Sequence, residues 1–216
     1  VSLNLAIKSK VPTLYVSADS DEHTMYTRIA AMLTGWRTED VENAVRQRED
    51  GVRTIEQAVQ SADNIRWNFN PDPDTYELEQ DLLAFAGVYG EMPSLIVMDN
   101  LKDLYGGGVD GDWAMSDRCE YLKVAARSTG ACVVGLHHVT GEYDDGIKPV
   151  PMSGLIDKIS KKPELILTLN RNAQAVTFEG YQTLNACVVK NRGGKADASG
   201  GWAIPITADM DRMRLW

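Results

Sequence analysis

The stretch Pro93-Ser94-Leu95-Ile96-Val97-Met98-Asp99-Asn100 places four apolar side chains in a row and then ends on a carboxylate. A half-exposed strand alternates apolar with polar residues, so an unbroken run with two β-branched members predicts a strand buried on both faces of a parallel sheet. The acid at its end then lies on the C-terminal edge of that sheet, which is where open α/β sheets bind ligands. Taken alone, Asp99 is better read as a loop aspartate capping a turn.

The pattern recurs on either side. Pro12-Thr13-Leu14-Tyr15-Val16-Ser17-Ala18-Asp19 is a second apolar run ending on an acid, and Ala131-Cys132-Val133-Val134-Gly135-Leu136 is a third, ending on His137-His138. Between the runs lie helical patterns. Ser20-Asp21-Glu22 opens a helix with acids in its first turn, Met25, Ile29 and Met32 repeat at helical spacing, and Gly35 closes it. Thr38 to Gln60 is charged and helical with a break at Gly51, Asn64 to Phe69 alternates as a strand, and Tyr76 to Val88 is helical. Asp112 is placed to cap a helix whose stripe is Met115, Cys119, Leu122 and Ala126. Val1 to Lys8 satisfies helix and strand templates alike.

Beyond Leu136 the alternation of β and α stops. Gly141 to Pro151 is acidic and punctuated by Pro and Gly, which predicts a mobile loop. Leu165 to Leu169, Ala175 to Phe178, Leu184 to Val189 and Trp202 to Ile206 then read as consecutive strands. The expected architecture is a single α/β domain over residues 1–216, mainly parallel and flanked by helices, with a C-terminal antiparallel extension.

Composition narrows the function. With 216 residues, 44% of them apolar, the chain can bury one large core. A net charge of −9 argues against a broad basic surface for duplex DNA. Three cysteines without ligand-like spacing suggest neither a disulfide framework nor a zinc site, and a reducing cytoplasm is expected. No apolar run approaches the ~20 residues that span a bilayer, so no membrane partner is expected.

Asp19, Asp99 and the histidine pair sit at the ends of three buried-strand patterns and could converge on one cleft. An acid that orients water, an acid that holds magnesium through water and a polar group that senses a phosphate are what nucleoside-triphosphate hydrolysis needs. Lys190-Asn191-Arg192-Gly193-Gly194 adds two cations at a spacing that points them the same way from a strand. A solvated hairpin tip is the other reading of that pair, and one buried plus one solvent-facing ring is the other reading of the histidines.

In this order the motifs resemble the RecA-like motor domain of DnaB-type replicative helicases, with RepA-type plasmid helicases and phage homologues. Leu14 to Asp19 is similar to the strand bearing the family's catalytic acid, Leu95 to Asp99 to Walker B, and Val133 to His138 to the sensor strand. Pro151 to Leu169 is similar to the DNA-facing loop and following strand, and Lys190 with Arg192 to the finger that reaches a neighbouring subunit's nucleotide. The resemblance implies an ATP- and Mg²⁺-dependent motor, encoded by a phage or plasmid, that forms a homo-oligomeric, hexameric ring on single-stranded or forked DNA. It gives Asp99 the metal, Asp19 the attacking water, His138 the γ-phosphate, and Lys190 and Arg192 a neighbour's nucleotide. Lys148, Lys158, Lys161 and Lys162 are then candidate DNA contacts, or equally a solvated face.

Two departures stand out. Asp19 replaces the family's usual Glu, and the G-x-x-x-x-G-K-S/T loop is absent and expected immediately upstream of Val1. Two other readings remain. His137, His138, Glu142, Asp144 and Asp145 could furnish hard ligands for a structure-specific, metal-dependent nuclease. A degenerate RecA-like fold could also bind single strands without turnover.

Overall fold

The computed structural model describes residues 2–48, 51–106, 113–155, 159, 161–176 and 181–216. They fall into two compact units, Val1–His137 and His138–Trp216.

In the first unit the apolar runs form a parallel sheet. Strand β1 (Thr13–Ser17) is buried throughout, and β3 (Leu95–Asp99) is buried at all but its last residue. The strand order is β2-β1-β3-β4, with β2 at Ile65–Asn68 and β4 at Cys132–Gly135. Every neighbouring pair is parallel, and Ser17 stands opposite Asp99. Ile96, Val97 and Met98 have no exposed surface (0%), as expected of a strand covered on both faces.

The third run departs from its expected burial. Cys132 and Gly135 are exposed and Val133 and Val134 only half-buried. The cause is position: β4 pairs with β3 on one side and has no other partner among the described strands. Periodicity cannot tell an edge strand of this composition from a central one.

Helices α1 (Ser2–Ser9), α2 (Glu22–Thr34), α3 (Thr38–Gln47), α4 (Gly51–Gln60), α5 (Thr75–Tyr89) and α6 (Met115–Thr129) complete the unit. Their ends follow local chemistry. Asp21 and Asp74 accept from the amides of Thr24 and Glu77, while Gly35, Gly90 and Gly130 end α2, α5 and α6 in the left-handed conformation. The N-terminal segment, ambiguous by periodicity, is helical, and Ala6 and Ile7 join Tyr15, Met25, Ile29, Ile65 and Val97 in one core cluster. Ala114, not Asp112, stands at the N-cap of α6; Asp112 lies outside the described residues. The break expected at Gly51 is the first residue of α4, where a Cβ would sit 2.8 Å from the ring of Trp36, so glycine is there for close packing.

The second unit is an antiparallel sheet in the order β5-β6-β7-β8, at Leu165–Val176, Gln182–Asn191, Ala203–Asp209 and Arg214–Leu215. Two of the expected strands merge into β5, with Thr177 and Phe178 outside the described residues, and β8 was not expected. The loop expected to be mobile is tied down at one point. Asn170 Nδ2 donates to Ile147 O at 2.8 Å, Arg171 N to Gly146 O at 2.6 Å, and an Arg171 guanidinium nitrogen to Asp145 O at 3.0 Å. Val150 is buried at 2% exposure. Backbone groups that composition assigned to solvent are satisfied instead by a strand more than 20 residues away in sequence.

Candidate functional site

The two acids singled out from the sequence meet at the C-terminal ends of β1 and β3. Because Ser17 pairs with Asp99, the chain leaving β1 passes over the end of β3: Ala18 N donates to Asp99 O at 2.5 Å and Asp19 N to the same oxygen at 3.3 Å. Asp19, two residues past β1, is exposed, and Asp99, the last residue of β3, is half-buried. Asp103, in the short 3-10 turn Leu101–Asp103 that follows β3, has its carboxyl raised above the usual carboxylate range. Burial is the first cause, opposed by Lys102 and reinforced by the charges of Asp19 and Asp72. The charges of Asp19 and Asp72 thus reach Asp103 at this edge.

Tyr15 was not singled out by sequence reasoning, yet it sets the direction of Asp99. Its hydroxyl donates to Asp99 Oδ2 at 2.9 Å, and its ring packs on Trp67 with centroids 4.7 Å apart. Burial first, and then the negative Asp99, push the phenol well above its ordinary range, so its proton stays available to the carboxylate. The only sequence signal was a tyrosine on a strand two positions before the end. A Tyr15→Phe protein is expected to keep the Trp67 packing and lose the bond to a charged acceptor. The cost is about 1.5–3 kcal/mol, read as a lower urea midpoint.

His137 is half-buried and places Nδ1 3.4 Å from Oδ1 of Asn100, the residue after Asp99. The ring joined to the end of β3 is thus that of His137. His138, the expected phosphate reporter, is exposed and begins the second unit. Asn100 too was missed, because a buried asparagine after an acid has no pattern to betray it.

In the second unit Lys190 lies on β6 opposite Ile166, and Arg192 stands one residue past the strand. Its guanidinium donates to Glu164 Oε1 at 2.7 Å and to Lys161 O at 2.9 Å. Lys148 pairs with Glu142 at 3.7 Å, Lys161 is exposed, Lys162 is half-buried, and Lys158 lies outside the described residues. Among the described residues no group of three or more His, Cys, Asp or Glu is gathered to hold a metal ion, so the cluster of His137, His138, Glu142, Asp144 and Asp145 is not assembled there. The three cysteines form no disulfide, and no described helix is long and apolar enough to cross a membrane.

Comparison with known proteins places the chain in a family and a fold. Residues 4–142 match the family described as AAA domain. The chain is 45% identical over 204 residues to the Gene 65 protein of Mycobacterium phage L5, covering 92% of this chain and 73% of the relative. It is 42% identical over 219 residues to the Gene 65 protein of Mycobacterium phage D29, covering 99% and 91%. Among solved structures it superposes on one described as an ATPase domain with a TM-score of 0.79 at 12% identity, covering 99% of this chain and 78% of that one. A DnaB-like replicative helicase, described with its interactions with primase, gives 0.75 at 12% identity over 96% of this chain, which spans about half (52%) of that one. The RadB recombinase gives 0.56 at 13% identity, covering 98% and 81%. At these identities the structural likeness is one of fold: RecA-like, as the sequence predicted.

Proposed function

The chain belongs to the AAA domain family, and from that membership we propose that it is the ATPase motor of a phage DNA helicase or translocase acting on single-stranded or forked DNA. The observation that carries the reading is the meeting of Asp19 and Asp99 at adjacent parallel strand ends, with Ala18 N and Asp19 N bonded to Asp99 O. The residues fit a hydrated Mg²⁺: the Tyr15 hydroxyl, a neutral donor, orients the Asp99 carboxylate through Oδ2 at the sheet edge. Bound Mg²⁺ would neutralise charge on the β- and γ-phosphates of ATP.

In this reading Asp99 holds the metal through water, Asp19 orients the attacking water and His138 senses the γ-phosphate. Lys190 and Arg192 complete a neighbour's site in trans, which requires a ring; six subunits can turn Lys148, Lys158, Lys161 and Lys162 inward while the outer surface stays acidic. Both units then belong to one ATPase domain over residues 1–216.

The test is ATP hydrolysis by the protein, with and without single-stranded DNA. Turnover is expected to rise with the strand and to fall at least about 10²-fold in Asp99→Asn. Strand binding without turnover would instead mark a non-catalytic RecA-like protein, and metal-dependent fork cleavage without ATP would mark a nuclease.

A further inference from the structure

The turn after β3 holds one side chain that this mechanism leaves unused. Asn100 has no exposed surface (0%), although its amide offers an acceptor and two donors that are costly to bury unmet. Oδ1 accepts from Lys102 N at 3.3 Å, making Asn100 the N-cap of the 3-10 turn. That bond settles which end of the amide is oxygen. The same Oδ1 faces Nδ1 of His137 at 3.4 Å. An amide oxygen cannot donate, so this contact is a hydrogen bond only when Nδ1 carries the ring proton.

The backbone frames this pair. Leu136 N donates to Met98 O at 2.9 Å, and Leu101 N donates to Leu136 O at 2.7 Å. Leu136 is therefore clasped on both sides of Asp99 and Asn100, and the side-chain contact extends the clasp to His137.

We propose that Asn100 is a positioning residue that holds His137 in its Nδ1-protonated form and so locks the end of β4 to the residue that follows Asp99. The consequence for turnover rests on the ATPase reading, whereas the tautomer does not. Leu is the informative replacement. It fills a similar volume and abolishes the acceptor, and it also removes Nδ2, which has no hydrogen-bond partner among the described residues.

The experiment is a long-range ¹H–¹⁵N spectrum of the 216-residue chain at a pH where the imidazoles are neutral, with His137 assigned by a His137→Gln protein. The expected result is a protonated Nδ1 and an unprotonated Nε2 in the wild type. Asn100→Leu should shift the population to the Nε2–H form that imidazole in water prefers, and Asn100→Asp, which keeps an acceptor, should retain Nδ1–H. A wild-type His137 protonated at Nε2 and not at Nδ1 overturns the proposal, as does an unchanged spectrum in the Leu protein. The wild-type spectrum decides alone if the Leu protein does not fold. In protein that hydrolyses ATP, Asn100→Leu should lower kcat about 10-fold with KM for ATP changed by less than about two-fold. A Nδ1–H ring in a protein without turnover would leave the clasp standing and overturn the ATPase reading; the reverse result would do the opposite.

Discussion

An Arg192→Ala protein is expected to bind ATP as the wild type does and to hydrolyse it about 10³-fold more slowly, the loss that follows removal of an arginine from a phosphoryl-transfer site. In the proposed role Arg192 would be released at little structural expense. Its bond to Glu164 is made on the surface, with the two side chains 47% and 62% exposed, and exposed pairs of this kind contribute about 0–1 kcal/mol. Breaking it therefore neither unfolds the unit nor holds the guanidinium back from a phosphate. Lysine should not rescue, since it lacks the planar fork that grips two phosphate oxygens. Nucleotide binding by a fluorescent ATP analogue and steady-state turnover separate the two effects. Mixing Arg192→Ala with Asp99→Asn protein tests the trans arrangement, because each would supply what the other lacks, and partial recovery of turnover is expected. Unaltered turnover in Arg192→Ala alone would remove Arg192 from the site.

Ile96→Ala is the largest expected change in stability. Ile96 is fully buried in the strand that pairs with both β1 and β4, so truncation leaves a cavity that no surface loop can relax into. The expected loss is about 2–5 kcal/mol, read as faster hydrogen exchange of the amides of β1 and β3. The same truncation at Val133 on the half-buried edge strand should be felt far less, and equal losses at both positions would contradict the placement of β4 at the sheet edge.

Much of this architecture is legible in the chain because its signals are local. Asp21 and Asp74 cap helices through amides three residues away, and Gly35, Gly90 and Gly130 take up the left-handed conformation that ends them. The runs through Val16 and Val97 are unbroken because both faces of those strands are covered, and each places an acid at the edge without help from any distant residue. The order of these motifs also sufficed to anticipate a RecA-like fold. The edge position of β4 was not legible, since Cys-Val-Val-Gly satisfies the template for a buried strand as well as it fits an edge.

What the tertiary structure alone decided is which distant partners hold these side chains within each unit. Tyr15 reaches Asp99 across 84 residues of sequence, His137 reaches Asn100 across 37, and Arg192 reaches Glu164 across 28. Periodicity and capping report interactions within a few residues of one another, so they place the acids on strand ends. They hold no information on which neighbour's hydroxyl or amide will turn those acids, because that is fixed only when parallel strands come into register and bring Ser17 opposite Asp99.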